Sequence, residues 1–211
     1  MKLIITTILF LLFNFSLSAQ NFEYSGTASL NGIIYSEEES PFWFHSNKRG
    51  RIDELTNVSG WANASGAYFL TPNAKIEVGV GGLFQDGYTD KFQLDESYLS
   101  FQNNWLEITA GRKQRKELYR GLSASNENIL WSLNARPLPG VQIKTTRPVF
   151  INGNRGLGFE AALEEYITDD ERYVEDTRVH HKSFNLVYRH SSGFEFSAGL
   201  QHFVQWVGIH P

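Results

Sequence analysis

From Phe22 onward the chain alternates apolar and polar residues with period two, and no other feature restricts its fold so strongly. Phe22, Tyr24, Gly26, Ala28 and Leu30 fall in one phase, and Glu23, Ser25, Thr27, Ser29 and Asn31 in the other. Ile76, Val78, Val80 and Phe84 oppose Lys75, Glu77, Gly79 and Gly81. Leu106, Ile108 and Ala110 oppose Glu107, Thr109 and Gly111, and Leu157, Phe159, Ala161 and Leu163 oppose Gly158, Glu160 and Glu164. Phe194, Phe196, Ala198 and Leu200 oppose Glu195, Ser197, Gly199 and Gln201. Successive strand side chains point to opposite faces, so each segment reads as a strand with one apolar and one polar face. Residues 92–102 resist a clean phase, because Asp95 interrupts one face and Glu96 the other.

Turn chemistry separates the strands. Compact signals are Thr71-Pro72-Asn73, Asn103-Asn104, Pro137-Leu138-Pro139-Gly140, Asn152-Gly153-Asn154 and Ser191-Ser192-Gly193. Longer polar connections fall near 36–53, 86–91, 113–127 and 168–180. About ten strands result. Short and long connections alternate up to about residue 140, as in an up-and-down barrel, and then two short turns follow one another. The only helical expectation is a capped turn within Gly121–Leu133, from Ser123 and Ser125 ahead of Glu127. With no internal repeat and no low-complexity linker, residues 20–211 read as one domain.

The first nineteen residues read as a signal peptide: Lys2, an apolar run from Leu3 to Phe13, and a cut after Ala19. Leu17 is larger than the residue usually found three positions before a cut. The chain is therefore expected in the cell envelope. It has no cysteine, which excludes disulfides, thiol nucleophiles and thiolate metal sites. A formal net charge of −4 argues against nucleic acid.

Alternation alone fits both a soluble barrel with its apolar face inward and an outer-membrane barrel with that face toward lipid. Three features favour the membrane. Mid-strand polar positions carry small residues and charges. Aromatics gather near strand ends (Phe22, Tyr24, Tyr68, Phe69, Phe84, Trp105, Phe194 and Trp206). Strands of about ten residues suit a tilted crossing. The expected fold is an all-β, antiparallel outer-membrane β-barrel. The chain stops just past a good strand, at Val207 to Pro211. A strand edge left bare in lipid is unfavourable, so these strands are expected to be an incomplete, C-terminally truncated part of a larger barrel.

Several segments resemble capsule assembly proteins of the Wzi family, Bacteroidetes type. Ser40 to Gly50 (SPFWFHSNKRG) is similar to the loop after that family's first strand. Gly111-Arg112-Lys113-Gln114 and Leu130 to Pro139 (LWSLNARPLP) resemble its middle, and His181-Lys182-Ser183 and Gln205-Trp206-Val207-Gly208 its later segments. Together they span most of residues 20–211. The resemblance implies an outer-membrane barrel of many more strands, of which this chain covers roughly the N-terminal half. It also implies a lectin-like, non-catalytic role in attaching or organising capsular polysaccharide.

The residues suggest where such a ligand sits. Arg112, Lys113, Arg115, Lys116 and Arg120 follow a strand end, and clustered cations attract the carboxylates of acidic polysaccharides. The same run also suits a solvated loop touching phosphate or lipopolysaccharide. Lys48, Arg49 and Arg51 form a second basic patch with the same two readings. Trp43, His45, Trp131 and Trp206 offer flat faces for sugar stacking, with Asn47, Asn134 and Arg136 beside them, or else serve as girdle and loop packing.

Other constellations are weaker. The acidic residues between Glu164 and Asp176 lack the glycine-punctuated spacing of a calcium loop. His180 and His181 would face opposite sides of a strand, which is poor metal geometry. His190-Ser191 has no acid partner at a telling spacing and reads as a turn. No phosphate loop, zinc motif or nucleophile elbow occurs. No cofactor is expected. The expected partners are capsular polysaccharide, outer-membrane lipid and lipopolysaccharide. The rival reading is a porin-like channel, which the same polar face would serve.

Overall fold

Ten antiparallel strands form a single sheet in the computed structural model, which describes residues 21–36, 39–117, 120, 131–134, 136–168 and 176–206. The predicted signal peptide, the capped turn around Ser123 to Glu127, most of the acidic stretch and the tail from Val207 lie outside the described residues. The strands are β1 (Phe22–Gly32), β2 (Val58–Thr71), β3 (Ala74–Gln85), β4 (Phe92–Gln102), β5 (Leu106–Arg112), β6 (Gly140–Thr145), β7 (Val149–Asn152), β8 (Arg155–Ile167), β9 (Arg178–Arg189) and β10 (Glu195–Trp206). One four-residue helix, α1 (Phe42–His45), lies between β1 and β2. No described helix is long and apolar enough to cross a membrane.

Neighbours in sequence are neighbours in space, along the path β1-β2-β3-β4-β5-β6-β8-β9-β10. The exception is β7. β6 pairs with Ala162 to Tyr166 of β8, and β7 pairs with Arg155 to Phe159 of the same strand. β6 and β7 are thus one strand path interrupted around Pro148, which has no N–H to give a ladder. Counted that way, short and long connections alternate throughout. Tight turns join β2–β3, β4–β5, β7–β8 and β9–β10 at one end of the sheet, and the long connections gather at the other. Pro137 to Gly140, expected as a compact turn, instead closes the long connection into β6.

The sheet is open, with β1 and β10 as its two edges. Its burial is inverted relative to a water-soluble sheet. On strands paired on both sides, Phe92, Val78 and Leu99 of the apolar face are 81%, 55% and 54% exposed, whereas Gln85 on the polar face is 0% exposed, Asp95 1% and Glu164 2%; the edge strand β10 is exposed on both faces. Exposing one large apolar side chain to water forfeits about 1.5–3 kcal/mol. Exposed aromatics cluster at the tight-turn end, where Phe22 pairs with Tyr68 and Phe196 with Tyr188. At the opposite end the Phe84 and Phe92 rings meet at 5.0 Å.

The irregular phase of residues 92–102 has a clear origin. The β3–β4 register shifts at Gly81/Gly82: Gly81 pairs with Glu96, Gly82 with Leu94, and Asp95 is the extra residue. A bulge with two residues opposite one turns consecutive side chains to the same side. Asp95 and Glu96 therefore both lie buried on the polar face.

Candidate functional site

Between the edge strands the polar face is covered where the long connections fold over it, and the Asp95–Glu96 pair fastens them. Arg51, from the β1–β2 connection, donates from Nε and Nη2 to Asp95 Oδ2 at 2.9 and 2.5 Å. Its guanidinium lies 3.9 Å from the centre of the Trp61 ring. Gln114, from the β5–β6 connection, donates from Nε2 to Asp95 Oδ1 at 3.2 Å and from its backbone N to Glu96 Oε1 at 2.9 Å. Two carboxylates on one face thus satisfy donors from two different loops. Ionised acceptors make the stronger hydrogen bonds, and burial raises the cost of leaving any of these groups unpaired.

The loops also hold each other. Arg49 N donates to Leu133 O at 2.7 Å, and Arg49 Nη1 donates to Arg115 O at 2.8 Å. Arg49 adopts φ +60° and Gly50 φ +64°, a left-handed turn that an arginine enters only against a local cost. At Gly50 a Cβ would stand 3.2 Å from Arg136 N, so the close approach of the two loops calls for glycine there.

Between the β5–β6 connection and strands β5, β6 and β8 lies a cavity of about 690 Å³. Arg49, Lys113, Arg115, Lys116, Arg136 and Lys144 line it, and Glu107 is its acidic wall. Arg115 organises the far side. Its Nη2 donates to Glu164 Oε2 at 2.6 Å and to Tyr166 Oη at 3.1 Å. The same guanidinium sits 4.3 Å from the Trp131 ring centre, and Trp131 meets Tyr166 edge-on at 5.2 Å. Behind it, Gln142 Nε2 donates to Glu164 Oε1 at 2.6 Å, and His181 Nδ1 lies 3.2 Å from Glu164 Oε2. On the near side Glu107 takes Lys113 at 3.3 Å and Lys144 at 3.4 Å.

The cavity brings together five residues expected from the sequence: Lys113, Arg115, Lys116, Trp131 and Arg136. It leaves out Arg112, Arg120, Trp43, His45 and Trp206. Arg112 pairs with Ser97 at the end of β5, in the register of the apolar face. Trp43 is 71% exposed on α1, and His45 on the same helix faces Ser40 Oγ at 3.1 Å. Trp206 ends β10 opposite Arg178. The second basic patch splits: Arg49 joins the cavity, while Arg51 is spent on Asp95. The basic run is not a free cationic loop, since Lys113 and Arg115 are already paired with carboxylates. Glu107, Gln142, Lys144, Glu164 and Tyr166 were missed as site residues. Each occupies the polar phase of a strand, which was the signal that could have marked them.

Of the weaker constellations, the acidic segment lies mostly outside the described residues. Glu164 and Glu165 occupy opposite faces of β8, so they do not converge on a cation, and no group of metal-ligating residues occurs among the described residues. His180 and His181 do face opposite sides. His190 Nδ1 meets Ser192 Oγ at 2.8 Å rather than Ser191, within the β9–β10 turn. No family model, curated protein or solved structure matches the chain.

Proposed function

We propose that this chain forms part of an outer-membrane β-barrel that binds or organises acidic capsular polysaccharide at the cell surface, without catalysing a reaction. The observation that carries the reading is the inverted burial. A sheet that leaves Phe92, Val78 and Leu99 exposed while covering Asp95 and Glu164 suits a hydrocarbon solvent on one side and a hydrated interior on the other. The path holds nine strands, so its edges β1 and β10 run in the same direction. Antiparallel closure then takes an odd number of further strands between them, consistent with the larger barrel that the Wzi resemblance implies.

The cavity supports the polysaccharide half of the reading. Six cationic side chains line the cavity against three partner carboxylates, Glu107, Glu164 and Glu117; that surplus attracts a polyanion, and the Trp131 and Tyr166 rings beside Arg115 offer surfaces for sugar rings. The loops fastened across the polar face obstruct the interior, which favours a binding site over an open pore. The porin-like alternative rests on the polar face alone.

The test uses the full chain reconstituted in lipid vesicles. Polyglucuronate should be retained at low salt and released as salt rises, whereas neutral dextran should pass unbound. In planar bilayers the protein should be electrically silent. Stepwise conductance without polyglucuronate retention would replace this reading with the channel.

A further inference from the structure

Charged side chains interrupt the apolar face singly at Arg112, which ends β5, and as a cluster on β9 and β10. Across β1 to β4 its register holds only apolar residues, glycine, alanine and Ser97. On β9 the same register carries Arg178, His180 and Lys182 at every second position, and on β10 His202 stands opposite Lys182. Glu165 of β8 stands opposite His180 and contacts its Nδ1. The His180 and His202 rings meet edge-on with centres 6.1 Å apart. Arg178, Lys182 and His202 are exposed. Among described residues no polar-face group and no loop covers them.

We infer that Arg178, Lys182 and His202 form a lipid-facing site for the phosphate of an anionic outer-leaflet lipid, a reading that rests on the membrane assignment above. The neighbours supply the argument for a lipid rather than another anion. Phe184, Leu200, Val204 and Trp206 surround the cations on the same face and are all exposed, which suits acyl chains beside a charged headgroup. The position agrees. Arg178 begins β9 at the end of the sheet where the long connections gather, and Lys182 follows about 13 Å along the strand at roughly 3.3 Å per residue. A cation on a lipid face costs about 2–4 kcal/mol at mid-bilayer and about 0–1 kcal/mol near the interface. A lysine at intermediate depth extends its stem toward the headgroups, and a phosphate there meets it. Glu165 engages His180, leaving Arg178, Lys182 and the His202 ring for the ligand.

The experiment compares the full chain with the triple variant Arg178→Gln/Lys182→Gln/His202→Gln. Both are reconstituted in phosphatidylcholine vesicles doped with either diphosphorylated lipid A or its dephosphorylated form, and co-purifying lipid is measured by mass spectrometry after mild extraction. The wild-type chain should enrich the phosphorylated form about tenfold over the dephosphorylated one, and the triple variant should lose that preference. Circular dichroism and insertion efficiency should match between the two. Equal retention of both lipids by an inserted wild-type chain, or a preference that survives the triple substitution, would overturn the site and leave the barrel reading standing. A chain that stays monomeric in water and inserts into neither vesicle would overturn both.

Discussion

Asn63 donates from Nδ2 to Glu96 Oε2 at 2.8 Å, although a whole strand lies between them. Gly81 is the residue at that level of β3, paired with Asn63 on one side and Glu96 on the other. A Cβ at position 81 would stand 2.9 Å from Asn63 Cβ, so glycine keeps the passage open. Gly81→Val should break this bond and leave buried Glu96 short of a donor. The expected loss is about 1–3 kcal/mol in urea unfolding of the micelle-embedded chain. Gly82→Ala is the matched control, since a Cβ there meets nothing within 4 Å.

The Arg51–Asp95 pair should behave as a latch for the β1–β2 connection. Asp95→Ala leaves a largely buried guanidinium against Trp61 with no counter-charge, which typically costs about 3–5 kcal/mol. Trypsin should then cut at Lys48, Arg49 or Arg51 markedly faster than in the wild-type chain. Replacing both partners, Arg51→Met with Asp95→Leu, should restore most of the stability, because no charge is left unpaired. A double variant as weak as Asp95→Ala would show that the latch works through something other than the charge pair.

The strands and their facing were legible in the sequence because alternation reports facing directly. Phe22 to Leu30 and Ile76 to Phe84 lie on the face their phase assigned. Two irregularities were visible as irregularities but not as structures. Asp95 and Glu96 broke the phase, and only the register shift opposite Gly81 and Gly82 shows that both point the same way. The two successive short turns arose because Pro137 to Gly140, the end of the long β5–β6 connection, carries turn residues, while the strand break at Pro148 shows only in the pairing of β6 and β7 to a common partner. The cavity was half legible. A basic run is apparent in one dimension, but its partners Glu107 and Glu164 come from strands distant in sequence. Trp43 and Trp206 offer flat rings with polar neighbours in sequence, but neither property fixes where the ring lies: Trp43 stands on α1 and Trp206 in the apolar register of β10.

Tyr98 tests the packing on the polar face. Its ring lies over Gly79, the glycine it pairs with, and its hydroxyl donates to Glu77 Oε1 at 2.5 Å. Tyr98→Phe keeps the ring over the glycine and removes a hydrogen bond to a carboxylate, with an expected loss of about 1.5–3 kcal/mol. Tyr98→Ala also uncovers Gly79 and should lose more. Thermal unfolding in detergent should rank the three chains in that order. Equal midpoints for the phenylalanine and alanine variants would mean that the ring contributes nothing beyond its hydroxyl.

Trp131 and Lys116 separate stacking from charge in the proposed polysaccharide site. Trp131→Ala removes an aromatic surface without changing charge. Polyglucuronate affinity should fall about fivefold to tenfold, for roughly 1–1.4 kcal/mol, while its dependence on salt stays the same. Lys116→Gln removes a cation from the cavity wall. Affinity should again fall, and its decline with salt should become shallower, because one fewer screened attraction contributes. Arg115 is a poor probe by comparison, since its loss also strips Glu164 of its charge partner and disturbs the wall itself. A channel without a polysaccharide site would leave retention untouched in both variants and alter only conductance, so binding isotherms at two salt concentrations decide between the readings.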